Sequence, residues 1–410
     1  MKTTPMHHPL PGTRAERGFS IIELMISLTI GLFITGAVIS TYLSTKTSFN
    51  RMSQLAEMQQ NARTAFEYMG GDGRVAGHLG CYSGLPVTAS TFVNALNSNT
   101  TWPYYFTGAL EGYNAAATQV ITTDMTGASA YSSTSTDWGT NTATFGASTT
   151  APVSTYIGTG TGGAAVGSDI LALRTTVGLP YRTVGTAGAN TFTFDPVTSG
   201  ATVAGFVKGS TCGGAGTRYS EFCPNSIGIL ASCSRAHVFQ ATAVTAAGGL
   251  THAAAGTAGP GNATPTWTAN IYGSTAEMFR AQTVIYYIGK GATGPSLFRK
   301  VYDGESSSPV ADELIDNVES MQVTYGIDSG AGSDGMLDSY VVASGVTDWN
   351  RVVAVRIGLL MRSSTLLAPD AKVPTTITVN GQAVTLTNAP KYDRRVFTTT
   401  IALRNRIKYQ

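Results

Sequence analysis

Twenty residues pass without a charge between Leu24 and Leu43, in the run LMISLTIGLFITGAVISTYL. That is the length a helix needs to cross the hydrocarbon core of a bilayer. The pattern then becomes one-sided. Phe49, Met52, Leu55, Ala56, Ala62, Phe66 and Met69 recur every three or four residues, while Arg51, Glu57, Gln59, Gln60, Arg63 and Glu67 lie mostly off that stripe. The membrane-length run and the 3.6-residue stripe that continues it predict one long helix from Phe19 to about Met69, with its outer half packed on a β-sheet. Gly70, Gly71 and Gly73 are poor helix formers and set the expected end, with a further turn before Cys81.

Beyond the helix the patterning changes. Residues 82 to about 165 are rich in Gly, Ser, Thr and Ala, and read as loops and short edge strands or a variable surface insertion. Strand-like runs follow in SDILALRTTVG, NTFTFDPV, AHVFQATAV, QTVIYYIGK and SLFRKVY, then in SMQVTYGI, RVVAVRIGLLMRS, TITVNGQAVTLT and RRVFTTTIALRNRI. Asn380-Gly381 between alternating segments is a hairpin signal. The expected fold class is α+β: a long N-terminal α-helix, transmembrane in one half and amphipathic in the other, packed on an antiparallel β-sheet within a β-rich, loop-rich head.

Charged residues are 12% of the chain, about half the usual globular share of roughly 25%. That balance suits a β-rich extracytoplasmic protein, and a net charge of +2 gives no reason to expect nucleic acid as a partner. The first eighteen residues invert the order of a secretory signal. A polar leader holding Lys2, Arg14 and Arg17 comes first, and the apolar run starts only after Gly18. The basic leader would stay in the cytoplasm and the remainder would be exported. One feature exceeds a plain anchor: Glu23 sits at the start of the apolar span, where a carboxylate is costly and needs a partner.

Gly18, Phe19 and Glu23, at the last leader position and the first and fifth mature positions, resemble the class III leader and N-terminus of type IV prepilins and pseudopilins. The resemblance implies that a prepilin peptidase cuts between Gly18 and Phe19 and methylates the new amine. In a bundle of such helices, Glu23 of one subunit would pair with the N-terminal amine of a neighbour and set the axial register. QQNARTAFEYM and RVAGHLGC near the helix end, and ELIDNVESMQVTYGID, DSYVVASGVTDWNRVVAVRIGLLMRS and RRVFTTTIALRNR in the last third, resemble PilW-type minor pilins. The middle matches only in SDILALR and SCSRAHVFQAT, and Gly70, Gly71 and Gly73 depart from the family pattern.

The organisation that follows is a leader (1–18), an N-terminal helix region (19–81, transmembrane over about 24–43), a variable Gly/Ser/Thr-rich β region (82–280) and a C-terminal β-sheet region (281–410). The resemblance implies a non-enzymatic minor pilin in a priming or tip complex that promotes pilus assembly, twitching motility or adhesion. Its partners would be other minor pilins, the major pilin, the prepilin peptidase, an inner-membrane assembly platform and a tip adhesin. It would pass once through the bacterial inner membrane, with its C-terminal domain in the periplasm, and reach the cell surface on assembly. The alternatives are a J-type pseudopilin at the tip of a type II secretion pseudopilus, and an anchored periplasmic enzyme.

The remaining chemistry is sparse. Cys81, Cys212, Cys223 and Cys233 do not follow zinc spacings, and export favours disulfides. Sequence does not select among their three pairings; the one adopted here joins Cys212 to Cys223 and Cys81 to Cys233. Asp328, Asp334 and Asp338 lie in a Gly-rich loop that could offer oxygen ligands to calcium, but the pattern is degenerate and the plainer reading is a polar hairpin loop. No other metal or cofactor is expected. No nucleophile elbow, His-Glu-x-x-His or phosphate loop is present. His78 and His237 read as surface or core residues, and Arg356, Arg362, Arg394, Arg395, Arg404 and Arg406 as a solvated sheet face or a subunit contact.

Overall fold

The computed structural model describes residues 18–82, 91–97, 102–116, 118–122, 125–131, 137–138, 156–195, 208–212, 217–219, 222–245, 248–254, 259–263, 266–306, 309–330 and 334–406. One α-helix, α1, spans Ile21–Val75 without interruption. The chain forms two compact units, residues 1–56 and 57–410. In the first, the described residues are helical from Ile21 onward, and nearly all are exposed.

The second unit begins with the last turns of α1 and continues in β-structure. Twenty strands are described: β1 (Phe92–Asn94), β2 (Leu110–Tyr113), β3 (Gln119–Ile121), β4 (Ile170–Val184), β5 (Thr191–Asp195), β6 (Lys208–Thr211), β7 (Thr217–Tyr219), β8 (Ile227–Ser232), β9 (Arg235–Gln240), β10 (Ala243–Val244), β11 (Gly249–Thr251), β12 (Glu277–Lys290), β13 (Pro295–Tyr302), β14 (Ala311–Asp316), β15 (Val318–Ile327), β16 (Ser339–Val341), β17 (Val352–Leu366), β18 (Thr376–Val379), β19 (Gln382–Leu386) and β20 (Tyr392–Ala402). Eleven of them form one sheet, ordered β1-β9-β8-β12-β4-β5-β11-β10, with β13 and β14 added beside β12 and β2 beside β4. A second sheet is ordered β16-β15-β17-β20. Pairing is antiparallel except for β1 with β9 and β3 with β19. Asn380 and Gly381, both at positive φ, turn the β18–β19 hairpin.

β12 is the spine of the large sheet. Its first half pairs with β8, its second half with β13, and β4 runs along most of its other edge. Val284 to Ile288 are all buried, the continuous apolar run of a strand covered on both faces. The boundary expected at 280/281 falls inside this strand, because one strand carries pairings to partners on both sides of it in sequence.

The two main sheets are joined by side chains that act as backbone partners. Just before β4, Ser168 Oγ accepts from Met321 N (3.0 Å), and the backbone N of Asp169 donates to Met321 O (2.8 Å). The Asp169 carboxylate accepts from Ala115 N (2.9 Å) and Val323 N (2.8 Å). Gln119 donates to Glu319 O and Gln322 to Gly167 O. Burial pushes the Asp169 carboxyl up to about 7 even though two N–H groups favour its charged form.

The helix does not end at Met69. It runs through Gly70, Gly71 and Gly73 to Val75, and its buried face in this unit is Met58, Ala62, Ala65, Met69, Gly70 and Gly73. A Cβ at Gly73 would stand 2.9 Å from Ile401 Cγ2 of β20, so the glycine is what lets backbone and strand approach. Asp72 accepts from the Tyr286 hydroxyl (2.6 Å) and from Arg299 Nε (3.0 Å). Asn405 Nδ2 donates to the carbonyls of Arg74 and Ala76, groups that a helix end leaves unpaired. Packing and polar contacts of this kind outweigh the ~1 kcal/mol per residue that glycine costs in a helix. Ala76 then bridges to Thr175, and Cys81 is joined to Cys233 at the β8–β9 turn.

Two buried clusters with polar side chains lie among the described residues. In the second sheet, Glu319 is fully buried and clamped by Arg394 (2.6 and 3.0 Å) and Arg362 (3.6 Å), with Tyr392 packed on both guanidiniums. In the first, an aromatic cluster of Phe192, Phe194, Phe222, Phe239, Trp267 and Tyr272 encloses two histidines. His237 Nδ1 meets the Tyr272 hydroxyl, and His252 Nδ1 meets the Thr266 hydroxyl while its ring packs on Trp267 at 4.0 Å. Burial pushes His237 down to about 4 and His252 down to about 3.

The packing and the charges each lead to a testable outcome. A Cβ added at Gly71 would meet no atom within 4 Å, whereas one at Gly73 would meet Ile401, so the same substitution should act with opposite signs. Gly71→Ala should raise the unfolding free energy by about 0.5–1 kcal/mol, and Gly73→Ala should lower it by about 1 kcal/mol once overpacking is set against helix propensity, as read by urea denaturation. For the histidines, an unfolded imidazole binds its proton near pH 6.5 but the folded ones do so only at about 4 and 3. The unfolded state therefore holds more protons in that window, and stability falls as pH drops from 6.5. His252→Phe keeps the ring packing and has nothing to protonate, so its denaturation midpoint should fall less than the parent's between about pH 7 and pH 4.

Candidate assembly helix

The functional candidate nearest the N-terminus is the start of α1. Gly18, Phe19 and Ser20 precede the helix in non-helical backbone, and Leu24 N donates to Ser20 O to close the first turn. Glu23 lies in that first turn, where unpaired backbone N–H groups and the positive end of the helix dipole favour a carboxylate. Its side chain has no ion-pair partner among the described residues.

The apolar run is exposed all round. Phe19 (80%), Ile21 (82%), Leu32 (71%) and Phe33 (80%) mark its length, and no residue from Gly18 to Ser53 is buried. It is the one helix among the described residues that is long and apolar enough to cross a membrane. An apolar surface of this extent is not stable in water and calls for lipid or other helices. The hydroxyls within it already suit such surroundings: Ser27, Thr29, Thr35 and Thr41 each donate to the carbonyl four residues back. Gly31 and Gly36 have open space where a Cβ would be, so a neighbouring backbone can come close there.

The other predicted residues lie in the second unit. Cys81–Cys233 and Cys212–Cys223 are both disulfides, the first exposed and the second buried. The aspartates of the 328–338 loop turn to their own backbone instead of converging. Asp328 accepts from Gly335 N, Asp334 from Met336 N, and Asp338 from Ser329 N, Ser329 Oγ and Gly330 N. The Ser329 and Gly330 donors hold the Asp338 carboxyl below the usual carboxylate range. No group of three His, Cys, Asp or Glu side chains able to hold a metal occurs among the described residues. Of the arginines, Arg362 and Arg394 are core residues that clamp Glu319, and Arg356 stacks on Tyr340 at 3.7 Å. Arg395 alone of the β20 pair is exposed, beside Asp393.

Sequence reasoning passed over Asp72, which lies among the glycines taken as the helix end, and gave no reading of His252, whereas His237 is a core residue as one of its two expected readings had it. A lone carboxylate between glycines was the available signal, since a helix that continues through it must have a partner for that charge.

Comparison with known proteins agrees with this geometry. Residues 13–39 match the family model of the prokaryotic N-terminal methylation motif, and residues 285–405 match that of the type IV pilus-assembly protein W. No curated protein matches the chain. A type IV-like pilin from Thermus thermophilus is similar at 16% identity over 30% of this chain and 67% of its own, with a TM-score of 0.17, too low to carry an argument. The motif and the family match support a pilin role in type IV pilus assembly, anchored in a membrane through α1 and made with other pilus components. Both families are structural, not enzymatic.

Proposed function

We propose that this chain is a minor pilin of a type IV pilus priming or tip complex, inserted through α1 and recruited by the chemistry at its N-terminus. The observation that carries the reading is the exposed, membrane-length start of α1 with a single carboxylate in its first turn. Cleavage after Gly18 would place a new, methylated amine on Phe19, at the N-terminal end of the helix. Glu23 would then take the amine of a neighbouring subunit. In hydrocarbon such a pair has no competing water, so it fixes how far one helix stands along another. Gly31 and Gly36 would let the helices approach.

The large second unit argues for a place at the fibre's end. It spans residues 57–410, and a head of that size repeated along a thin fibre would crowd its neighbours. In this reading the head faces the periplasm before assembly and the outside after it, a setting in which both disulfides persist. The priming complex would join other minor pilins to the major pilin and a tip adhesin, and serve motility or adhesion.

Mass spectrometry of the N-terminus, run on sheared surface pili and on membranes separately, tests the proposal. N-methylated Phe19 in the sheared pili is the expected result. Methylated Phe19 confined to membranes would favour a secretion pseudopilin, and an intact leader in cells with an active peptidase would overturn the assembly reading. Glu23→Ala should leave the protein in the membrane but cut its amount in sheared pili by about tenfold or more, the loss of one buried charge pair.

A further inference from the structure

Most edges of the described sheets are blunted, as soluble β-proteins require. β1 has three residues, β10 two and β16 three. β18 has four residues, and β14 carries Asp312, Glu313 and Asp316 and is bulged against β13. β20 is different. It has eleven residues, ends the β16-β15-β17-β20 order, and keeps unbroken register with β17 from Arg394 to Ala402. From Val396 to Ile401 its sequence is Val-Phe-Thr-Thr-Thr-Ile, with no charge, no proline and strong β-propensity. Among the described residues, the backbone of Arg394–Ile401 bonds to no strand but β17. Alternate N–H and C=O groups on its outer side are thus left for another chain or for water.

A groove of about 500 Å³ opens beside that edge. Gln59, Ala62, Arg63, Phe66, Glu67 and Arg74 of α1 line one wall, and Phe397 and Thr399 line the other. Within the second sheet only β20 contributes to it, so the groove lies at the edge and not over the sheet's middle. Phe397 and Thr399 are two apart and share a face, which gives an added strand sockets for alternate side chains. Arg63 is paired with Glu67, but no carboxylate pairs with Arg74 among the described residues.

We propose that β20 is a strand-addition site: an extended segment of a different chain pairs with Val396–Ile401, sets apolar side chains between Phe66 and Phe397, and brings a carboxylate to Arg74. Main-chain pairing supplies the affinity and the groove supplies selectivity. A second copy of β20 would not meet this description, since its only acid, Asp393, is already beside Arg395. The site lies wholly within residues 57–406 and does not depend on the chemistry at Glu23.

The test uses the purified full chain in detergent and the heptapeptide EVTVTVE, acetylated and amidated, with a glutamate at each end to reach Arg74 in either strand direction. Hydrogen exchange resolved to single amides is the readout. In the free chain, amides of Val396–Ile401 should alternate between slow and fast. At about 1 mM peptide the fast set should slow by about tenfold, whereas EVTPTVE, which lacks the central N–H, should give no protection. Thr399→Lys, a charge on the groove side, should abolish the gain while leaving the alternation in the free chain. Uniformly slow β20 amides without peptide, no added protection at millimolar peptide, or protection that rises with the chain's own concentration would each overturn the proposal. A fault in the N-terminal reading would leave this measurement unchanged.

Discussion

The close approach of α1 to β20 at Gly73 is the constraint on which the second unit depends. Without a side chain at that position the helix backbone comes within reach of Ile401, and one turn of helix then touches both sheets. Asp72 reaches Tyr286 and Arg299 of the large sheet, while Gly73 meets the small one. The two main sheets also grip each other directly, through Ser168, Asp169 and Gln322, and Gln119 ties β3 to the second sheet in the same way, each side chain completing a neighbouring backbone bond. Such contacts are specific in a way apolar packing is not, because a shift of one residue would leave buried N–H groups unpaired.

Charge is used sparingly but deeply. Glu319 with Arg394 and Arg362, and Glu111 with Arg174, sit where water does not reach. Buried pairs of this kind add little net stability, but losing one partner leaves a charge with no solvent, at a cost of about 3–5 kcal/mol. They select one arrangement of β15, β17 and β20 over near alternatives. The two core histidines follow the same logic in neutral form, each bonded to a hydroxyl and enclosed by rings.

The periodicity of the sequence made much of this legible. An uncharged run of membrane length, a carboxylate at its start and alternating strands near the C-terminus pointed to a long N-terminal helix followed by a β-rich head with antiparallel sheets, which the structure has. Local signals failed where tertiary contacts override them. Gly70, Gly71 and Gly73 read as a stop, because propensity does not register Ile401, Tyr286 or Asn405. The arginines of the last strands read as surface, because sequence spacing does not show that Arg362 and Arg394 face Glu319 across three strands. Asp328, Asp334 and Asp338 are close in sequence, but each accepts from backbone of its own loop, and one buried oxygen of Asp328 has no hydrogen-bond partner among the described residues.

Cys81 lies six residues past the end of α1, and its bond to Cys233, at a sequence separation of 152, closes residues 81–233 into a covalent ring. A pull along α1 that reaches Cys81 passes through sulfur to the β8–β9 turn and need not travel through the intervening chain. The ring also contains β4, whose Arg174 and Thr175 bond to the chain just past α1, so load leaving the helix divides between a hydrogen-bonded route into β4 and a covalent route into the β8–β9 turn. The sequence between these two attachments and away from them is free to vary without weakening either route.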